Sequence, residues 1–87
     1  MRIIKPVLFD SKDADIAENA ARAPYFLIFE DNKFIKSIKN PFVSGWWAGF
    51  AVAELLNNEW CEKFIAKKIW DNMKSSLDDY NILYEII

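Results

Sequence analysis

Arg22 and the adjacent lysines Lys67 and Lys68 are the residues of this 87-residue chain that are best suited to hold a ligand. A guanidinium group forms charge-assisted, often paired hydrogen bonds with phosphate or carboxylate oxygens, and lysine ammonium groups add point charges. The two lysines also precede a predicted helix, whose first turn has unpaired backbone N–H groups. These features predict binding of a small anion. The alternatives are a surface ion pair at Arg22, worth about 0–1 kcal/mol, and a solvated lysine pair.

The residue types that carry most enzymatic and metal chemistry are scarce. The sequence has no histidine and a single cysteine, Cys61, which excludes a histidine base, a serine triad and most transition-metal sites. Asp10, Asp13 and Asp15 suggest a divalent ion, but they lack the glycine and the distal glutamate of a calcium loop. A two-metal nuclease needs further carboxylates from later strands, and none is evident. We therefore expect a non-enzymatic binding domain with a flexible acidic loop.

The composition is typical of one small globular domain covering residues 1–87. Hydrophobic residues make up 53% and aromatic residues 16% of the chain, enough for a dense core. A net charge of -2 gives no electrostatic case for a nucleic-acid partner. No window approaches the roughly 20 apolar residues of a membrane helix, and the start turns acidic too early for a signal peptide. A lone thiol suits a reducing compartment, so we expect a cytoplasmic protein.

Apolar runs bounded by turn residues predict five strands, at residues 2–9, 25–29, 33–39, 61–66 and 82–87. Pro6 cannot donate a ladder hydrogen bond, so regular pairing is expected to break there. Asp31 and Asn32 tolerate left-handed backbone and predict a tight hairpin between the second and third strands. The lysines of the third strand are typical of an open sheet edge.

Two helices are predicted, over residues 44–58 with Ser44 as the N-cap and from Asp71 to about Tyr80. A short helical turn is expected around residues 16–20. The resulting order is β-β-β-α-β-α-β. Because βαβ units require parallel pairing through right-handed crossovers, the sequence predicts an α/β fold with a mixed five-stranded sheet and helices packed on it.

Trp46 and Trp47 are unusual neighbours. Adjacent helical residues point about 100° apart, so we expect one of the two indoles to be exposed, as at a protein interface. A protein–protein interaction module or homodimer that uses this region is the alternative function. Trp60 and Trp70 are expected to pack at the ends of elements, and Cys61 to be an inert buried thiol.

Two motifs give the chain a family resemblance. Residues 17–26 read AENAARAPYF, and residues 48–56 read AGFAVAELL. In order and spacing they resemble the dinitrogenase iron–molybdenum cofactor biosynthesis family, whose pattern runs S-E-H-F-G-R-A-P-Y-F and later A-x-A-E-L-L. The resemblance covers essentially the whole chain. It implies a ribonuclease H-like fold with three layers, α/β/α, strand order 3-2-1-4-5 and an antiparallel second strand.

The resemblance also implies a ligand, an iron–sulfur or iron–molybdenum cluster. In the family a histidine is the suspected cluster contact, and Asn19 occupies its position here. The family's glycine-rich turn after the fourth strand corresponds to residues 67–73, where Lys67 and Lys68 supply side chains instead. The identity of the cofactor stays open, because both binding features are altered.

The implied strand order locates the site. Ligands of open α/β sheets bind beside the carboxyl ends of the strands where the connections diverge, here between the first and fourth strands. Residues 10–15, 19–22 and 67–71 would line that crevice. We therefore expect Asn19, Arg22, Lys67 and Lys68 to converge there as the binding residues; the alternative is that these segments are ordinary solvated loops.

Overall fold

The computed structural model describes every residue from Met1 to Ile87. Its regular elements, in chain order, are β1 (Arg2–Val7), a 3-10 helix (Ala20–Arg22), β2 (Tyr25–Glu30), β3 (Lys33–Lys39), α1 (Ala48–Asn58), β4 (Lys63–Ala66), α2 (Asp71–Asp79) and β5 (Leu83–Ile86). The predicted order β-β-β-α-β-α-β is confirmed. Neither α-helix is long and apolar enough to cross a bilayer.

The strands form one sheet in the predicted order β3-β2-β1-β4-β5. β2 is antiparallel to both of its neighbours, whereas β1, β4 and β5 are parallel to one another. Four strands therefore run in the same direction, and their carboxyl ends meet at one edge, called here the carboxyl edge. β1 pairs with β4 only at Ile3 and Ile4, and this ladder stops before Pro6, which has no N–H group to continue it. The predicted break at Pro6 is wrong for the other neighbour, because the pairing of β1 with β2 continues through Pro6 and Val7.

The hairpin between β2 and β3 turns at Asp31 and Asn32. Their φ angles are 50° and 69°, and Glu30 pairs with Lys33 across the turn. Positive φ at both central residues is the signature of the type I′ turn, whose twist matches that of the flanking strands. The predicted tight hairpin is confirmed.

Both α-helices cover the same face of the sheet. The buried core joins that sheet face to both helices through Ile4, Phe26, Ile28, Phe64, Val52, Ala53, Leu56, Met73 and Leu77. The crossovers from β3 to β4 and from β4 to β5 advance across the sheet in the same direction, and right-handed connections of this kind place their helices on one face. The three layers implied by the resemblance are therefore corrected to two, one sheet and one helical layer.

The opposite face of the sheet has no helix over it. Half-buried side chains cover it, and polar groups lie between them: the ammonium group of Lys5 stands 5.0 Å from the ring centroid of Phe29, and Lys63 pairs with Glu85 at 2.8 Å. Leu27 is buried on this face, next to Ser37 of β3. The hydroxyl of Ser37 donates to Asp10, so the loop after β1 folds over this part of the sheet.

The start of α1 differs from the prediction. The helix begins at Ala48 rather than at Ser44, and Trp47 is its N-cap without a side-chain hydrogen bond. Gly45 has a φ angle of 128°, a conformation that is not helical and that favours glycine. The chain therefore turns once more before the helix can begin, and this keeps residues 44–47 in a loop at the carboxyl edge.

The close approach of α1 to α2 depends on Gly49. A Cβ atom added there would lie 2.9 Å from the Oδ1 atom of Asn72 and 3.3 Å from the Cβ atom of Met73. We expect Gly49→Leu to push the two helices apart and to lower the free energy of unfolding by about 1–3 kcal/mol, measured by urea denaturation. Ala51→Leu, at a half-buried position on the same helix, should cost less. Equal stability of the two variants would contradict this account of the helix contact.

Candidate functional site

The carboxyl edge collects the ends of four strands and the starts of three helical segments. The 3-10 helix follows the loop after β1, α1 follows β3 and α2 follows β4. The backbone N–H of Ala20 donates to the carbonyl oxygen of Lys68 at 3.1 Å, which joins the loop before β2 to the loop after β4. The segments that contain Arg22 and the two lysines therefore lie side by side, at the place where open α/β sheets bind ligands.

A cavity of about 410 Å³ opens at this edge and is lined by Arg22, Gly45, Trp46 and Trp70. One cationic residue and two tryptophans therefore border a single open volume. Gly45 leaves its side of the cavity free, since an added Cβ atom would meet nothing within 4 Å. The volume lies within the ~300–1,000 Å³ typical of small-molecule sites.

Arg22 has no acidic partner. Its Nη1 atom donates to the carbonyl oxygen of Val43 at 3.0 Å, and no carboxylate lies within 4.0 Å of the guanidinium group, since the ion pairs of the molecule all involve other residues. A guanidinium group carries five N–H donors. The bond to Val43 orients the group and leaves donors for a ligand, so the alternative of a surface ion pair does not apply at Arg22.

Asn40 holds the Arg22 segment in place. Its side chain is only 2% exposed, and its amide nitrogen donates to the carbonyl oxygens of Ala21 at 3.0 Å and Ala23 at 2.8 Å. Its amide oxygen accepts from the backbone N–H of Phe42 at 2.8 Å. The residue thus ties the 3-10 helix to the loop that leads into α1. Sequence reasoning took Asn40-Pro41 only as the end of a strand.

Asn19 is a structural cap. Its side-chain oxygen accepts from the backbone N–H of Ala21 at 3.1 Å, which makes it the N-cap of the 3-10 helix. This helix replaces the helical turn expected at residues 16–20, because the cap fixes its start. Asn19 does not line the cavity.

Lys67 and Lys68 lie beside the cavity without lining it. Both side chains are exposed, and neither forms an ion pair. The Lys68 backbone is fixed by its hydrogen bond from Ala20. The lysines can therefore raise the local positive potential, an effect that salt screens over roughly 10 Å, while Arg22 supplies the directed donors.

Both α-helices begin at the carboxyl edge without a side-chain cap. The N-cap residues are Trp47 and Trp70, and neither makes a capping hydrogen bond. Residues of this type cannot satisfy the first N–H groups of a helix, which then remain available to water or to an anion. Asp71, an exposed residue in the first turn of α2, places one negative charge at this edge.

The acidic loop is separate from the cavity. The backbone N–H of Leu8 donates to the carbonyl oxygen of Asp15 at 3.1 Å, and Val7 forms a bridge with Ile16. These bonds fold the loop back on itself, while the Ser37 hydroxyl donates to Asp10. The loop is therefore held by the sheet, which corrects the expectation of a flexible segment lining the crevice.

The sole thiol lies at the other end of the sheet. Cys61 is buried before the start of β4, its Sγ atom donates to the carbonyl oxygen of Lys63 at 3.3 Å, and burial raises its pKa to about 12. The thiol is therefore protonated at neutral pH and is a poor metal ligand. No group of three or more carboxylate, thiol or imidazole side chains is arranged to hold a metal ion. The residues present do not fit a cluster ligated by thiolates.

The position of Cys61 leads to a prediction about ligand binding. We expect Cys61→Ala to leave the affinity for inorganic phosphate within about twofold of that of the unsubstituted protein, because the substituted side chain lies far from the Arg22 cavity. Such a change is well below the roughly 1.4 kcal/mol of binding free energy that corresponds to a tenfold loss of affinity. Isothermal titration calorimetry measures the affinity. Loss of binding in this variant would show that the ligand is held at the thiol.

The tryptophans depart from their predicted roles. Trp46 is 94% and Trp47 71% exposed, so both indoles reach solvent rather than one. Trp60 is also exposed instead of packing at the end of its element, and Trp70 is half-exposed because it borders the cavity. The Trp47 ring packs on Phe50, with centroids 5.5 Å apart. Gly45 and Trp46 were missed as site residues, because a turn glycine and a helix-flanking aromatic carry no motif of their own, whereas Trp70 lies in the segment 67–71 that was predicted to line the crevice.

Comparison with known proteins defines the fold class. No family model and no curated protein matches the sequence. Solved structures do match: the NMR structure of a putative NifB protein from Thermotoga, of the DUF35 family, superposes with a TM-score of 0.83 at 19% identity, covering 99% of this chain and 75% of that one. The crystal structure of PH0822 gives a TM-score of 0.80 at 13% identity, with 99% and 78% coverage.

A third neighbour is the apo form of the orange protein from Desulfovibrio gigas. It superposes with a TM-score of 0.87 at 15% identity, over 95% of this chain and 72% of that chain. At these identities the likeness shows the fold alone. The chain therefore has the same fold as these three proteins.

Proposed function

We propose that this chain is a non-enzymatic binding or carrier domain for a small anionic ligand, held at the Arg22 cavity. The observation that carries the proposal is the half-buried residue Arg22, which lines a cavity of about 410 Å³ without any carboxylate partner. An oriented cation that no protein acid neutralises favours an anion from solution, and each charge-assisted hydrogen bond contributes about 1.5–3 kcal/mol.

Two further features support the same ligand chemistry. The N-cap residues of α1 and α2, Trp47 and Trp70, make no side-chain capping hydrogen bond, and Lys67 and Lys68 add two unpaired positive charges nearby. Helix starts and lysines together favour negative charge at this edge. The single acid among these groups, Asp71, is outnumbered by Arg22 and the two lysines.

The family resemblance and the NifB-related neighbour suggest a metal–sulfur cluster as one candidate anion. Without thiolate or imidazole ligands at the cavity, such a cluster would be cargo, held by charge and by hydrogen bonds to its sulfides. A mononuclear oxyanion would use the same donors. Both candidates place the ligand beside Arg22 and not at Cys61.

The test is an NMR titration of the protein with inorganic phosphate, with a parallel anaerobic reconstitution using iron and sulfide. We expect amide shifts at residues 20–22, 45–48 and 70–72 on adding phosphate. A visible-range chromophore after reconstitution would select the cluster as cargo, and its absence would select the oxyanion. No shift in these amides and no chromophore would overturn the proposal.

A second candidate function is homodimerisation through Trp46, Trp47 and Phe50. The exposure of both indoles and of Phe50 favours it, because aromatic side chains bury ~150–250 Å² each and are enriched at interfaces. Analytical ultracentrifugation across micromolar concentrations tests this function. A monomer throughout would contradict self-association, and a dimer that dissociates in a Trp47→Ala variant would support it.

A further inference from the structure

We propose, resting on the anion site above, that the ligand of the Arg22 cavity is an aromatic phosphate, such as a nucleoside monophosphate, whose planar ring lies against Trp46 or Trp70. The cavity has an anion-binding part and an aromatic part. The guanidinium group of Arg22 forms the first, and the two indoles form the second. A bare inorganic anion has no ring that could stack on the aromatic part.

The size of the cavity supports a ligand larger than a single oxyanion. Its volume of about 410 Å³ is many times the volume that one molecule occupies in liquid water, about 30 Å³. Phosphate has only five non-hydrogen atoms and would leave most of this volume to solvent. A ligand with a ring and a sugar in addition to its phosphate would fill the remainder.

The exposure of the indoles supports a stacking role. Trp46 is 94% and Trp70 48% exposed, although both rings border the same cavity as Arg22. Nucleobases stack on such rings whatever the base, because each base has a π-face. We assign the stacking role to Trp46 and not to Trp47, because the Trp47 ring already packs on Phe50.

The charge of the chain limits the ligand to a single nucleotide. A nucleic-acid strand needs an extended basic surface, whereas this chain has a net charge of -2 and an acidic loop between β1 and the 3-10 helix. One phosphate group beside Arg22, with Lys67 and Lys68 nearby, matches the local charge. The aromatic ring of the ligand would make the remaining contact, against Trp46 or Trp70.

Isothermal titration with AMP, adenosine and inorganic phosphate tests the proposal. We expect AMP to bind at least tenfold more tightly than either of its parts. Trp46→Ala should weaken AMP binding about tenfold, in line with the loss of one stacked ring, and weaken phosphate binding by much less. Trp60→Ala is the matched control, since it removes an exposed indole away from the cavity and should change neither affinity.

The outcomes separate this inference from the anion site itself. Phosphate binding with no gain for AMP, or equal effects of Trp46→Ala and Trp60→Ala, overturns the aromatic ligand and leaves the anion site standing. Adenosine binding as tightly as AMP also overturns it, because the phosphate would then contribute nothing. If neither phosphate nor AMP binds, both proposals fail.

Discussion

Arg22→Gln is expected to weaken the binding of inorganic phosphate by at least tenfold and to change the free energy of unfolding by less than about 1 kcal/mol. Glutamine keeps an N–H donor, on a shorter side chain, but removes the positive charge, and a hydrogen bond to a charged group is worth about 1.5–3 kcal/mol. The stability effect is small because the Arg22 side chain makes only one hydrogen bond, to the Val43 carbonyl at the surface. Calorimetric titration and urea denaturation measure the two quantities.

Lys67→Gln and Lys68→Gln are the matched comparisons for Arg22→Gln. Each removes one positive charge from the same edge, but from an exposed side chain outside the cavity lining. We expect each to weaken phosphate binding by only two- to threefold at 0.1 M salt, because exposed charges act through screened solvent. Equal losses in all three variants would show that the edge binds anions by its overall charge and not through a site at Arg22.

Asn40→Leu is expected to lower the free energy of unfolding by about 3–5 kcal/mol. The substitution leaves the carbonyls of Ala21 and Ala23 and the N–H of Phe42 without their partner. Each buried polar group that loses its partner costs about 1–3 kcal/mol, and partial access to water reduces the sum. Phosphate binding should weaken as well, because the 3-10 helix that carries Arg22 loses its tie to the loop before α1.

The control for Asn40→Leu is Asn57→Leu, which makes the same change at an exposed position of α1. Surface substitutions of this kind usually change stability by no more than about 0.5 kcal/mol. Urea denaturation of both variants gives the comparison. An Asn40→Leu protein as stable as Asn57→Leu would mean that the three hydrogen bonds contribute little, and that Asn40 does not hold the binding segment.

The element order was predictable because each strand carries a local signal, whereas the strand order was implied by the family resemblance. The Asp31-Asn32 turn fixes one hairpin, and the apolar runs fix the rest. The number of layers was not predicted correctly, because the resemblance implied helices on both faces of the sheet. Two crossovers that advance in one direction across the sheet place both helices together, a consequence of topology that residue patterns do not display.

The candidate site was only partly predictable. The position of Arg22 and the lysines at one edge follows from the strand order, whereas the cavity walls depend on loop conformation. Trp46 lines the cavity because Gly45 delays the start of α1, and Arg22 is oriented through a backbone carbonyl. Asn40 acts through two backbone carbonyls that are distant in sequence and through the N–H of Phe42, two residues on. Such contacts carry no sequence signature, so they emerged only from the packed structure.

A crystal structure of the protein soaked with selenate tests the central claim most directly, because the anomalous scattering of selenium locates the anion. We predict a selenate ion within hydrogen-bonding distance of the Arg22 guanidinium group, between the starts of α1 and α2, and its loss in Arg22→Gln crystals. Selenate bound only at the lysines of β3, or an Arg22 side chain without an anion at saturating selenate, would contradict the account.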